Sequence, residues 1–506
     1  MLDLADAASP RAFHNSGHIL DPPKCHENTR IAVLNEIKDW IRFEKHKEKS
    51  VMWLHGGAGA GKSAIARTIA EWCQEECLLL SSFFFWRSDH TRNHSHAFLA
   101  TLAFGISRTV QGIQRSINRA IKRNRHIFNL NLDTQFIELI YEPFIHIVKD
   151  NVSSYGDYPH VLVVDGLDEC LEWDERRALL LLLGKCVLQR LPWKILVTSR
   201  QEQAISLTFD DEPLIEMTTR LALSNEYSSD WDIRTFLKDK LGDIKRNHCL
   251  KKFIPQDWPV KGDVDQLVEK SSGHFIFAST VVGYIQSHRH SPPARLDLVL
   301  NRGSSQSPAG HDLPFAELDQ LYNHIFTSID VVEQAHLAPK LVALIIMTNR
   351  YLWYKDILTP ADYARTLGIT SEEVVLIVGE LGSIIGNGAY DDEIDDYYVL
   401  HASLEDFLFD RERSRGLWVD HGIVGIDTLL CLSGLSRHWI SLSNSMDILD
   451  KIKLTEESFR HFMAVIDSGV LQDQFENCSL LSDGATNFLP KYLDYLKTKV
   501  SVGIFS

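Results

Sequence analysis

The chain begins Met1-Leu-Asp-Leu-Ala-Asp, with acids where a secretory leader needs a basic end followed by an apolar run. No apolar stretch approaches the roughly 18 residues of a membrane-spanning helix. The longest, Ala178–Gly184 and Val374–Gly379, are far shorter, so no membrane partner is expected. Cysteine is sparse: eight in 506 residues, with no Cys-x-x-Cys pair. A reduced, cytoplasmic setting is expected, with Cys73 and Cys77 as half-buried residues one helical turn apart. Positive charge is also short. The net charge of −16 argues against broad nucleic-acid binding through the phosphate backbone, which needs a basic surface. The one basic segment, Arg115 to Arg125, reads as the wet face of a helix. No repeat near a period of about forty residues is present, which argues against a solenoid or propeller.

What is present is Gly56-x-x-x-x-Gly61-Lys62-Ser63, in full Gly56-Gly57-Ala58-Gly59-Ala60-Gly61-Lys62-Ser63 and then Ala64. A β-prone run, Val51 to Leu54, precedes it and a helix-prone run follows, the context this phosphate-binding pattern requires. Glycines let backbone N–H groups curl around phosphate oxygens, and the helix behind them aims its positive dipole end at the same anion. Lys62 would reach the outer phosphates, and the Ser63 hydroxyl would ligate Mg²⁺.

Residues 1 to about 29 are polar and irregular by pattern, with Pro22-Pro23 stopping any helix. Val33, Ile37, Trp40 and Ile41 then trace one apolar helix face. Leu78–Trp86 reads as a buried parallel strand. The loop Arg87–His96 carries His90, His94 and His96, but no Cys or carboxylate set accompanies them at ligand spacing, so they do not read as a metal site. Helices are expected from Ala97 to Lys149 and from Ala178 to Leu191. Val161–Val164 and Lys194–Thr198 read as strands, with Leu214–Thr218 a possible fifth. Strands alternating with helices predict an α/β doubly wound parallel sheet, whose ligands sit at the C-terminal strand ends. From Asp230 the pattern is helical. The Gly/Ser/Pro-rich stretch 301–314 marks a linker, and beyond it Leu318–Met347 and a capped helix at Ser371 are expected. A hairpin formed by Ser383-Ile-Ile and Tyr397-Tyr-Val-Leu would complete a winged-helix-like module, and the remainder reads as helical.

A Mg²⁺–nucleotide site needs a carboxylate at a neighbouring strand end, and Asp165 ends the run Val161–Val164. Hydrolysis needs a group acting on water, and Asp168 or Glu169 could provide it. Arg200 could reach the γ-phosphate, or it could pair with one of those acids.

Together Gly56–Ser63, Val164-Asp-Gly-Leu-Asp-Glu169 and Leu196-Val-Thr-Ser-Arg200 resemble a NACHT domain of the STAND class of signal-transducing P-loop NTPases. Asp21–Arg30, Ser272–Val282 and Leu400–Leu408 resemble NACHT proteins of mushroom-forming fungi, related to the nephrocystin-like N-terminal domain. The resemblance covers about residues 12–415 and is most specific in its first 220 residues. It implies a P-loop NTPase fold followed by helical and winged-helix domains. The corresponding divisions are an extension (1–28), the nucleotide-binding domain (29–225), a helical domain (226–300), the linker (301–314), the winged-helix-like domain (315–415) and a helical C-terminal region (416–506). Arg30 and Ile31 would lie against adenine, Gly56–Ala64 would hold the phosphates, and Ser63 and Asp165 the metal. Asp168 or Glu169 would act on water, and Arg200 would sense the γ-phosphate. His401 best matches a winged-helix histidine that touches the β-phosphate of ADP, although the usual Met-His-Asp wording is absent.

The function implied is a slow ATPase switch, closed with ADP and open and self-associating with ATP, in fungal innate immunity or self/non-self recognition. With so little chain before the first helix and no repeats after the module, an unknown protein partner would supply the effector or sensor. A nucleotide-binding adaptor or decoy without turnover is the alternative, and a small-molecule kinase fits poorly with the long C-terminal portion.

Overall fold

A computed structural model describes residues 4–17, 23–150, 159–189, 191, 193–223, 229–300, 316–329, 332–351, 358–391 and 394–433. The expected linker, the 225/226 boundary and residues 434–506 lie outside the described residues. The chain divides into two compact units, Met1–Ser305 and Gln306–Ser506. Among the described residues no helix is long and apolar enough to cross a membrane.

The first unit is built on five parallel strands: β1 (Val51–His55), β2 (Leu79–Phe84), β3 (Val161–Asp165), β4 (Lys194–Ser199) and β5 (Thr218–Ala222). Their order across the sheet is β2-β3-β4-β1-β5. β1 to β4 are buried along their whole length, as strands covered on both faces must be. Alternation sends successive side chains to opposite faces. Met52, Leu54, Val161, Val163 and Leu196 join one core with helix α1 (Ile31–Ile41) and helix α2 (Lys62–Glu75). Val51, Trp53, Leu162, Val164, Ile195 and Val197 join the other, with α3 (Phe98–Thr109) and α4 (Trp173–Leu188). The doubly wound sheet inferred from the strand–helix alternation is therefore present. The α1 face is buried as its spacing predicts: Val33, Ile37, Trp40 and Ile41 are all at most 1% exposed.

Four local expectations need correcting. Leu214–Met217 forms a helical turn, and the fifth strand starts at Thr218. Cys73 is fully buried in α2, but Cys77 lies beyond that helix, exposed and at φ 58°. The N-terminal extension is ordered where described, with Leu4–Ala7 helical and Pro10–Ala12 a 3₁₀ turn. It docks through both apolar and polar side chains: Leu4 and Ala12 join the core, the Ser9 N–H donates to Thr101 Oγ1 at 2.8 Å, and His14 bridges Ser82 Oγ (3.0 Å) and Gln74 Oε1 (2.8 Å). Finally, the run Leu318–Met347 is broken between Thr327 and Ala338.

After β5 come α5 (Ser229–Asn247), α6 (Asp263–Ser271), α7 (Phe275–Ile285) and α8 (Pro292–Val299), each packed on its neighbours. The second unit holds helices Ala316–Thr327, Ala338–Tyr351, Pro360–Leu367 and Ser371–Glu380, then the antiparallel hairpin β6 (Ile385–Asp391) and β7 (Ile394–Val399). Thr370, one residue before the expected start, caps the Ser371 helix in a reciprocal box with Glu373.

Replacing Ile37 by Ala removes buried methyl groups from a core it shares with α2 and β1. An Ile37→Ala variant should lose about 2–5 kcal/mol of unfolding free energy, read by urea denaturation. A loss below 1 kcal/mol would contradict this packing.

Candidate functional site

β1 ends at His55, and the loop Gly56–Gly61 leads into α2. Gly59 and Gly61 have φ values of 69° and 90°, which glycine adopts without the clash a Cβ introduces. Gly61 stands at the N-cap of α2, so the free N–H groups of the first turn face the loop. Lys62 Nζ donates to the carbonyls of Gly56 and Gly57, both at 2.9 Å, which places the ammonium inside the curl of the loop. Burial lowers the Lys62 pKa, Asp168 pulls it back up, and the charges of Arg200, Asp165 and Glu169 also act on it.

Asp165 ends β3 and is 3% exposed. It accepts a hydrogen bond from the Thr198 hydroxyl, and the Ser63 hydroxyl is near enough to act on its carboxyl. Thr198 Oγ1 in turn accepts from the Gly166 N–H at 3.0 Å. Burial raises the Asp165 carboxyl, while the two hydroxyls and then Lys62 and Arg67 counter it. Ser63 and Asp165 thus bring two oxygen donors together, the donor type Mg²⁺ takes.

The two following acids have different surroundings. Asp168 Oδ1 accepts from the Arg200 N–H at 2.9 Å, and its Oδ2 lies 3.2 Å from Arg200 Nε. Of the two readings open for Arg200, the pairing with Asp168 is therefore realised in this structure. Glu169 Oε2 accepts from the Arg87 N–H at 3.1 Å. Burial first, and then the charge of Asp168, push the Glu169 carboxyl up to about 7, against the pull of Arg87.

Arg30 is placed differently from a simple base contact. It sits at the N-cap of α1 in the left-handed region, φ 56°. Its Nη2 donates to the Ala60 carbonyl of the loop at 2.9 Å, its Nε lies 3.9 Å from Asp232 on α5, and its guanidinium lies 4.9 Å from the Phe275 ring centre on α7. Ile31 begins α1 half exposed. Ala64 lies in the first turn of α2, and its carbonyl accepts from Thr68.

Three residues absent from the sequence reading belong to this site. Arg67 lies four residues after Ser63 on α2, hence on the same helix face. It is 5% exposed, stacks 5.0 Å from the Phe84 ring centre, and leaves Nε and Nη1 without hydrogen bonds. Burial lowers its pKa and Asp165 raises it. The i, i+4 offset from Ser63 is the signal that could have found it. Ile276 and His274, from α7 and its N-cap, lie directly on the loop. The Ile276 N–H donates to the Gly59 carbonyl at 3.3 Å, and a Cβ at Gly59 would stand 2.1 Å from Ile276 Cγ2. A Cβ at Gly57 would come within 3.8 Å of His274. No local pattern shows that contact.

His401 lies in the second unit, where its Nδ1 meets Ser403 Oγ at 2.8 Å and accepts from the Ser403 N–H at 3.0 Å, just before the helix Ser403–Leu408. His90, His94 and His96 stack edge to face, with ring centres 5.7 and 4.9 Å apart. Burial lowers His94 to about 4.

The family described as "Nephrocystin 3, N-terminal" matches residues 29–200, the segment from α1 to the end of β4. No curated protein matches in sequence. Among solved structures, a Signal Transduction ATPase with Numerous Domains from Pyrococcus horikoshii, with a tetratricopeptide repeat sensor, is 10% identical with a TM-score of 0.44. The match covers 90% of this chain and 54% of that one, so this chain spans about half its length. Drosophila ORC bound to DNA is 11% identical, covering 70% and 81% of the two chains, with a TM-score of 0.32. Aeropyrum pernix ORC1 in complex with DNA is 11% identical, covering 77% and 91%, with a TM-score of 0.30. The parallel sheet, with its glycine loop opening α2 and an acid ending β3, is a P-loop NTPase fold.

Gly59→Ala should destabilise the first unit by about 1–3 kcal/mol, through a strained backbone and the collision with Ile276. Adding Ile276→Ala should recover the collision's share of that loss. Gly17→Ala, with nothing within 4 Å, should leave the unfolding curve unchanged.

Proposed function

We propose that this chain is a nucleotide-operated switch of the signal-transducing ATPase class, binding ATP and ADP with Mg²⁺ at the Gly56–Ser63 loop. The observation that carries this is the convergence, at the C-terminal edge of one sheet, of Lys62, the Ser63–Asp165 pair, Glu169 and the Asp168–Arg200 pair. The loop N–H groups and Lys62 bind the phosphates. Ser63 and Asp165 are the residues that would hold Mg²⁺, whose charge offsets that on the phosphate oxygens.

Between the two acids, the surroundings favour Glu169 as the group acting on water. A carboxyl near 7 exchanges a proton readily at neutral pH. Asp168 is committed to holding Arg200 and serves to aim that guanidinium toward the terminal phosphate. His274, Ile276 and Arg30 tie the helices after the sheet to the loop, so phosphate arrival and departure are felt by α5 and α7. A few kcal/mol of difference between ATP- and ADP-bound contacts suffices to bias two such states. Opening and self-association with ATP, with a protein partner as effector or sensor, complete the reading. The helices Ala338–Tyr351, Pro360–Leu367 and Ser371–Glu380, followed by the β6–β7 hairpin, support a winged-helix module in the second unit. The resemblance of Asp21–Arg30 and Ser272–Val282 to fungal NACHT sequences supports a place among NLR-like immune or self-recognition switches.

Protein purified from cells should release ADP or ATP on denaturation. Lys62→Ala should weaken binding by about 1.5–3 kcal/mol, roughly 10- to 150-fold, the worth of hydrogen bonds to a charged group. Absence of both co-purifying nucleotide and titratable binding would overturn the reading. Binding without turnover would leave the adaptor alternative. Particle mass with ADP and with a non-hydrolysable ATP analogue tests the self-association.

The pH dependence is specific. A base must be ionised, so kcat/KM for ATP should rise through about pH 7 and level off above it, and Glu169→Gln should abolish turnover. Stability has the opposite sign. The unfolded carboxyl ionises near 4.5 and the folded one near 7, so stability is full below 4.5 and is lost as pH rises toward 7. Glu169→Gln should therefore melt above the wild type at about pH 8, and the gap should close by about pH 4.5.

A further inference from the structure

Away from the nucleotide loop, the C-terminal end of α5 and the turn between α7 and α8 bring His248, Cys249 and His288 together. One ligand atom from each lies within 4.8 Å of the others. His248 immediately follows the last residue of α5 and is 4% exposed. Its Nε2 faces the Ser287 carbonyl at 3.1 Å, so Nε2 carries the proton and Nδ1 presents a lone pair. That Nδ1 lies 3.9 Å from Cys249 Sγ and accepts the Leu250 N–H at 3.1 Å. A carbonyl accepting from the far ring nitrogen is how metal-bound histidines are commonly oriented. Cys249 Sγ donates to the His288 carbonyl at 3.3 Å, and the two imidazoles stack with centres 5.7 Å apart, 18° from parallel.

We propose that His248, Cys249 and His288 form a Zn²⁺ site, with water in the fourth position, that staples the end of α5 to the α7–α8 turn. The donor set selects the metal: one thiolate and two imidazoles suit zinc, whereas Mg²⁺ and Ca²⁺ take oxygen. Zn–S bonds of about 2.3 Å and Zn–N bonds of about 2.0–2.1 Å on a tetrahedron put the donor atoms about 3.3–3.6 Å apart. The Sγ–Nδ1 separation of 3.9 Å reaches that range by a shift of a few tenths of an ångström. Cys249 and His288 are exposed and can rotate, and solvent reaches them. On binding, the Cys249 S–H proton leaves to solvent as the Zn–S bond forms. The thiol's bond to the His288 carbonyl and the Leu250 N–H bond to His248 are given up. The staple joins α5, which carries Asp232, to α7, which carries Phe275 and Ile276, the residues that meet Arg30 and Gly59. Zinc occupancy therefore stiffens the helices lying on the P-loop. The site does not depend on nucleotide turnover.

The test uses the full chain, stripped of metal with EDTA and titrated with Zn²⁺ and Co²⁺. One equivalent of Zn²⁺ should bind and raise the melting temperature, and Co²⁺ should give a thiolate-to-metal charge-transfer band. Cys249→Ser should lose that band, and both Cys249→Ser and His288→Ala should weaken Zn²⁺ binding by at least about tenfold. Both substitutions are at exposed positions, and an unchanged circular dichroism spectrum and nucleotide affinity confirm folding. Absence of the Co²⁺ band in the wild type would overturn the proposal. So would undiminished one-equivalent Zn²⁺ binding in the double variant Cys249→Ser/His288→Ala, which would place the metal elsewhere.

Discussion

The first unit is organised around a carboxylate taken out of water. Asp165 is almost fully buried at the end of β3, and an ionised carboxylate in such a place is costly unless hydrogen bonds and cations surround it. The strand order supplies them. β4 lies between β1 and β3, so neighbouring spacings of about 4.8 Å place the glycine loop two strands away from Asp165. Thr198 fills the intervening strand end, and Ser63 returns over it from the first turn of α2. Lys62 and Arg67 add positive charge from the same helix. The cluster that compensates the buried acid is also the set of groups a phosphate and a divalent cation would use.

A second consequence is that two adjacent acids have different surroundings. Asp168 meets both the backbone and the side chain of Arg200. Glu169, one residue on, accepts the Arg87 N–H and feels the Arg87 charge, but burial and the charge of Asp168 outweigh them. Two carboxyls with environments this different need not act alike, which is the ground for proposing proton transfer at Glu169 and orientation of a cation at Asp168.

The helices after the sheet bear on the loop through short-range packing. Gly59 has no room for a methyl group because Ile276 occupies that space, and Arg30 links the loop carbonyl of Ala60 to Asp232 and Phe275. A loop with those contacts cannot change shape around a phosphate without disturbing α5 and α7. The His248–Cys249–His288 cluster lies at the far ends of the same two helices, so a cation there and a nucleotide at the loop would act on one mechanical element.

Much of this was legible in the residues because it is local. The spacing of Val33, Ile37, Trp40 and Ile41 foretold α1, the apolar runs foretold β1 to β4, and the glycines with Lys62 and Ser63 marked the loop. Asp165 was legible because an acid closing a buried strand is rarely incidental. Errors came where local preference competes with packing, as at Leu214–Met217, which has strand-like residues but turns as a helix before β5. Sequence by itself determined which residues could carry phosphate and metal chemistry, since that depends on residue type and spacing along one strand–loop–helix unit. Only the tertiary structure decided which acid holds Arg200, that Arg67 backs the buried carboxylate, and that Ile276 lies on Gly59. Those outcomes depend on the order of strands and on contacts between segments far apart in the chain, and neither leaves a periodic trace in the sequence.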